Sequence, residues 1–296
     1  MRKISLLAVA VATFASSMAS AQTMGGTASR SGAPARNLEN PLYNPAAGRF
    51  YSKTNYNMAP VKDYDSSMSL TEEFGYGITD RWTVSASIGY GWMDEALNLG
   101  GDGSGISNLG LGVLYKPVDS NGFVWTVKSG FMLDTGDRLV DQYPIGLPIA
   151  DMGKDDDTFN LSTMAGYEFD GGFALAAELG YMLDLGTDKD YADYKYGDTS
   201  LYFLNLAGQF DLGRYWSLNL AYRHQGMTHK FLGQKAIDTD DIVLGANWQA
   251  TDSTLLTVYA DYDATSGSDR SYMVARSSAD GDDNRWSFGL RAGVQF

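Results

Sequence analysis

The last twelve residues alternate without a break. Trp286, Phe288, Leu290, Ala292, Val294 and Phe296 fall on one face, and Arg285, Ser287, Gly289, Arg291, Gly293 and Gln295 on the other. Successive side chains of a strand point to opposite faces, so such a segment has one oily side and one polar side. The pattern recurs from Trp82 to Trp92, where Trp82, Val84, Ala86, Ile88, Tyr90 and Trp92 alternate with Thr, Ser and Gly. It returns from Phe173 to Leu185 with Leu175, Ala177, Leu179, Tyr181 and Leu183. These runs are about twice the usual strand length and carry aromatics at both ends. A tilted strand crossing a bilayer has that length, and its end aromatics sit in the two interfaces.

Twelve such segments can be placed, near 49–56, 66–78, 81–93, 105–117, 122–135, 157–169, 172–186, 199–211, 214–227, 239–250, 254–264 and 284–296. The first alternates poorly. Five connections are tight: Thr79-Asp80, Pro117 to Asn121, Asp170 to Gly172, Leu212-Gly213 and Thr251 to Ser253. Between them lie six longer polar ones, near 57–65, 94–104, 136–156, 187–198, 228–238 and 265–283. Short turns at one end and long loops at the other are what bacterial outer-membrane barrels show, whereas a soluble sandwich has no reason to segregate them. The expected fold is all-β, a transmembrane antiparallel up-and-down barrel of twelve strands over 48–296, with both termini in the periplasm.

The start of the chain fits that destination. Arg2 and Lys3 precede an apolar run from Ile4 to Ala15, and Ala19-Ser20-Ala21 has the small-x-small form of a cleavage site. Residues 1–21 read as a secretory signal peptide, with the mature chain starting at Gln22. The apolar run is too short for a helical anchor. Residues 22–47 lack alternation and are rich in Gly, Ser, Ala, Asn and Pro, which reads as a flexible periplasmic tail; insertion into the barrel mouth is the other possibility. Cysteine is absent, so neither disulfides nor thiolate metal sites arise.

If Trp and Leu positions face lipid, twelve charges turn inward: Glu73, Lys128, Asp134, Glu168, Glu178, Asp184, Asp211, Arg223, Asp261, Asp263, Arg285 and Arg291. Hydrocarbon would penalise a basic side chain at the midplane by about 2–4 kcal/mol, and an acidic one by less. Glu72 breaks the rule, because alternation with Leu70 and Phe74 turns it outward. Inward charges either line a water path or pair across a closed interior. A twelve-stranded barrel lies between the filled eight-stranded kind and the wide porins. Its inward positions are mostly Gly, Ser, Ala and Thr, which leave space for a narrow pore for small solutes or ions. Eight of the twelve charges are acidic, which favours cations. The alternative is a non-conducting surface barrel whose acidic loops serve adhesion or envelope integrity.

The formal charge is -14, and loss of the signal makes it more negative, which argues against a nucleic-acid partner. The loop clusters Asp155-Asp156-Asp157, Asp238 to Asp241 and Asp280 to Asp283 lack the spacing of a calcium loop and read as solvated surface, loosely bridged to lipopolysaccharide phosphates. No metal site, cofactor or catalytic group is expected. The two histidines, His224 and His229, have no Ser or Asp at the two-residue spacing that would put a catalytic partner on the same strand face, so His224 reads as an interfacial residue.

The stretch Glu73-Phe74-Gly75-Tyr76-Gly77-Ile78-Thr79-Asp80-Arg81-Trp82 resembles a hairpin motif common in outer-membrane transporter-like barrels, among them the family associated with a MetA pathway of phenol degradation. Asn40-Pro41-Leu42-Tyr43-Asn44-Pro45 is similar to the N-terminal lead of some such proteins. The terminal Phe296 resembles the signal read by the barrel-assembly machinery. The resemblance implies a channel-like barrel in contact with outer-membrane lipids and carries over no catalytic residue.

Overall fold

A computed structural model describes residues 37–59, 67–93, 103–133, 135, 157–185, 190–191, 194–195, 201–227, 238–265 and 285–296. The signal peptide, the tail to residue 36, His229, Asp134 and most of the long loops, including Asp155, Asp156 and the Asp280 cluster, lie outside the described residues.

The strands are β1 (Phe50–Ala59), β2 (Ser67–Gly77), β3 (Trp82–Met93), β4 (Gly103–Ile106), β5 (Leu109–Ser120), β6 (Phe123–Leu133), β7 (Thr158–Phe169), β8 (Phe173–Asp184), β9 (Asp190–Tyr191), β10 (Tyr194–Lys195), β11 (Leu201–Asp211), β12 (Trp216–Met227), β13 (Asp238–Thr251), β14 (Thr254–Asp263) and β15 (Trp286–Gln295). Each long strand pairs antiparallel with its chain neighbours, and β1 pairs with both β2 and β15, so the sheet closes. Reciprocal backbone bonds between Phe50 and Phe296 finish the seam at 2.8 and 3.2 Å. The barrel has twelve strands, as expected. β4 is an added piece that continues β5 along β3: the pairing Tyr90↔Ile106 slips by one residue to Ser87↔Gly110 across Ser107 and Asn108. β9 and β10 form a separate two-stranded ribbon.

The tight turns fall where the sequence puts them, with one shift. Pro117 does not open a turn. It sits in a bulge of β5, where the register slips between Tyr115 and Val118, because proline has no N–H for the ladder. The chain then pairs on to Ser120 and reverses at Asn121-Gly122. Both of those residues have positive φ, 52° and 82°, which is the Asn-Gly geometry whose twist matches a hairpin.

The outer wall is apolar. Leu179, Leu220, Val258 and Leu290 are each more than half exposed, a surface that only lipid covers without cost. Rings gather in two belts. At the turn end stand the pairs Phe50–Tyr76, Trp82–Tyr115, Phe169–Phe173 and Trp216–Trp248. At the loop end stand Tyr56–Trp92, Phe131–Phe159 and Tyr262–Trp286. Among the described residues no helix is long and apolar enough to span a membrane; the crossing elements are strands.

Glu72 lies between the belts on the outer face. The register of β1 and β2 runs without a bulge, so the carboxylate stays outward, and the neighbouring strand supplies what it needs. Ser52 Oγ and Thr54 Oγ1 donate to its two oxygens, each at 2.5 Å. Replacing both donors (Ser52→Ala with Thr54→Val) should destabilise the refolded barrel by about 1–3 kcal/mol, the cost of stranding a carboxylate in lipid. The same pair of changes in a Glu72→Leu background should cost little. Urea midpoints in lipid vesicles measure both, and equal losses in the two backgrounds would overturn the assignment.

Candidate functional site: the barrel lumen

Placed by sequence in a flexible tail, residues 37–47 instead enter the barrel at its turn end and pack against the inner wall. Alternation is absent here because the segment is not a strand, and its two leucines act singly. Leu42 is 1 % exposed among Val124, Met164, Ala174 and Ala176, and Leu38 is 2 % exposed against Tyr51, Leu255 and Tyr43. Glycines on the wall make the sockets: a Cβ on Gly166 would lie 2.4 Å from Leu42 Cδ2, and one on Gly293 2.5 Å from Leu38 Cδ1.

Polar groups pin the same segment around the circumference. Asn40 Nδ2 donates to Glu168 Oε1 on β7 at 2.9 Å, and Thr83 Oγ1 on β3 donates to Asn44 Oδ1 at 2.6 Å. Asn37 Nδ2 reaches Ser217 Oγ on β12 at 3.4 Å, and the Ala47 amide reaches Asp80 in the first tight turn at 3.3 Å. Arg291 of β15 forms an ion pair with Glu39. Burial pushes the Tyr43 phenol up, so that ring stays neutral.

Above this segment a cavity of about 630 Å³ occupies the middle of the barrel. Small residues form much of its wall: Ser85, Ser87, Gly110, Gly112, Gly130, Ala207, Ala221 and Gly245. Charges and amides stand on the inner face of the barrel in three groups, of which Lys128, Glu178, Asn205, Asn219, Thr257 and Arg223 line the cavity. In the first, Lys128 Nζ meets Glu178 Oε1 at 3.1 Å, while Ser162 and Asn205 donate to the same carboxylate at 2.7 and 3.2 Å. In the second, Asn247 links Ser217, Asn219 and Thr257 at 2.8–3.0 Å and is fully buried. Toward the loop end, Arg223 faces Asp261 at 3.6 Å, Asp241 pairs in register with both Arg223 and Asp263, and Arg285 reaches the Asp263 carbonyl at 3.5 Å.

Glu73, Lys128, Glu178, Arg223 and Arg291 thus line the cavity, and Glu168 lies below it under Asn40. Glu73 also accepts from the Tyr51 hydroxyl at 2.5 Å. Asp211 sits near a tight turn, taking a bond from Gln209 at 3.0 Å. Asp184 ends β8 opposite Thr158. Sequence reasoning missed Glu39 and Asn40, which belong to no strand, and Lys53, Asn55 and Asp241, which lie on strands whose alternation is weak or starts late. His224 faces outward at the loop end, its Nδ1 2.9 Å from Asp240 on β13, which also accepts from Tyr222 at 2.6 Å. Asp240 is sixteen positions away in sequence but directly opposite in register, so same-strand spacing could not reveal it. Among the described residues no group of three or more metal-ligating side chains is placed to hold an ion.

Known structures share this architecture. The COG4313 outer membrane channel from Pseudomonas putida F1 superposes with a TM-score of 0.66 at 14% identity, covering 88% of this chain and 100% of that one. The NanC porin superposes with a TM-score of 0.52 at 11% identity, over 83% of this chain and 98% of that one. No curated protein sequence matches. The model of the family described as "Putative MetA-pathway of phenol degradation" matches residues 64–266, more than half of the chain, in keeping with the Glu73–Trp82 hairpin motif; the chain belongs to that family and has the fold of an outer-membrane channel-like β-barrel.

Proposed function

We propose that the mature chain is an outer-membrane channel for small solutes or ions, entered after cleavage of residues 1–21, with residues 37–47 as its narrowest point and a mild preference for cations. The cavity carries this reading: a space of about 630 Å³ lined by amides, hydroxyls and charged groups lies inside a barrel whose outer wall is apolar. Cation preference rests on the loop end, where Asp241, Asp261 and Asp263 outnumber Arg223 and Arg285. A catalytic role is not part of the proposal. The depth at which Leu38 and Leu42 are buried favours a second reading, a closed barrel that serves the cell surface through its acidic loops and lipopolysaccharide contacts.

Single-channel recording of the refolded mature protein in a planar bilayer separates the two. Steady openings support the channel; a folded but silent barrel supports the surface role. In a salt gradient, the double change Asp241→Asn with Asp263→Asn should lower the cation-to-anion permeability ratio by about twofold, since each carboxylate acts on ions in a partly wet, low-dielectric passage. An unchanged reversal potential would remove the loop-end acids from the account of selectivity.

A further inference from the structure

We propose that Glu39 is a tethered stand-in for a solute carboxylate, and that the place it occupies is a binding site for small organic acids built from Arg291, Lys53 and the rings of Tyr43, Tyr51 and Tyr259. The proposal rests on the channel reading and names a solute class for the turn end of the same lumen, where Arg291 and Lys53 set a local preference for anions distinct from that of the acids at the loop end.

Arg291 is part of the fixed wall. It projects from β15, and its guanidinium carbon lies 5.2 Å from the centroid of the Tyr259 ring. That ring is itself held, because the Tyr259 hydroxyl donates to Asn55 Oδ1 at 2.9 Å. Asn55 is the register partner of Arg291 and Lys53 that of Gly293, so Lys53 and Arg291 are diagonal neighbours on the inner face. The Lys53 ammonium stands 5.4 Å from the Tyr51 ring, and Tyr43 meets Tyr51 edge-on at 5.8 Å. Two cations and three rings therefore share one side of a cavity large enough for a small organic molecule.

Glu39 differs from every other lumen acid described, because it is not carried by the barrel. It arrives on the entering segment and pairs with Arg291 where its side chain is 7% exposed. Arginine–carboxylate pairs shielded from water are among the stronger polar contacts. Withdrawing Glu39 would leave the wall intact and its guanidinium facing the cavity. A free carboxylate with a planar or apolar body presents the same head group to Arg291 and offers its body to the tyrosines. Binding of the acid and docking of residues 37–47 then exclude each other, so the solute loosens the constriction that it must pass. Linkage makes the effect reciprocal: whatever removes Glu39 tightens the acid.

Calorimetric titration of the refolded mature protein with benzoate tests this, with benzamide as the uncharged analogue of equal shape. Glu39→Gln should bind benzoate about tenfold more tightly than the wild type, because the internal competitor is gone. Benzamide should not bind measurably to either. Adding Arg291→Gln to Glu39→Gln should abolish benzoate binding; where that variant does not fold, Arg291→Lys should weaken it by keeping the charge without the planar fork. Equal benzoate affinity in wild type and Glu39→Gln, or binding that survives loss of Arg291, would overturn the proposal. Titration and conductance fail separately: Arg291-dependent binding in a barrel that never conducts keeps the site and discards the channel, and conductance without binding does the reverse.

Discussion

Deleting residues 22–47 from the mature protein should raise single-channel conductance by about an order of magnitude, because a twelve-stranded wall lined with small residues encloses more space than the remaining side chains fill. In the proposed channel, residues 37–47 form the constriction. From Asn37 to Asn44 the segment touches β12, β15, β7 and β3 in turn, so it crosses the turn end of the lumen instead of hugging one side. Its removal should leave the barrel standing. The strands are closed by their own ladder, and the groups released, Glu168, Arg291, Thr83 and Ser217, face a lumen that water then enters. What is lost is the burial of two leucines, about 1.5–3 kcal/mol each, offset by freedom regained by the chain. The recording is made in the same bilayers as for the full mature chain, with circular dichroism to confirm folding. Conductance that does not change would mean that ions bypass residues 37–47, and the narrowest point would have to be sought at the loop end.

The segment also marks the boundary of what could be read from sequence. Strand number, strand direction and the segregation of turns from loops all follow from alternation and glycine, asparagine or aspartate at the reversals, and these are local signals. The bulge at Lys116-Pro117 was not legible as such, because proline is compatible with a turn as well as with an interrupted ladder; only the stronger Asn121-Gly122 signal decides between them. Inward charges on clean strands, such as Glu178 and Arg291, could be assigned a face. Lys53 could not, since β1 carries Ser52, Thr54, Asn55 and Asn57 and so hides its period. Ser52 and Thr54 look out of place on a lipid-facing wall until Glu72 is seen beside them across the strand. Leu38 and Leu42 carried no periodic signal at all: each finds its socket in a glycine more than a hundred residues away, a pairing that no local pattern encodes.

The socket for Leu38 provides a way to open the constriction without cutting the chain. Gly293→Val puts a Cβ 2.5 Å from Leu38 Cδ1, and the other near atoms are also those of Leu38, so the clash falls on the entering segment and spares the wall. Valine suits a strand better than glycine does, which leaves the barrel no reason to weaken. The expected result is conductance rising toward that of the deletion variant, with Leu38 expelled together with the contacts on either side of it. Leu38→Ala, added to Gly293→Val, removes the colliding methyl groups and should return conductance toward the wild-type value, while Leu38→Ala alone should open the channel only partly. The two positions should therefore couple by about 1–3 kcal/mol, as contacting residues do. The sign of that coupling is the informative part. If Gly293→Val widens the pore through a general loosening of β15, the alanine at 38 cannot repair it and the double variant stays open. If the contact itself sets the gate, the second change closes what the first one opened.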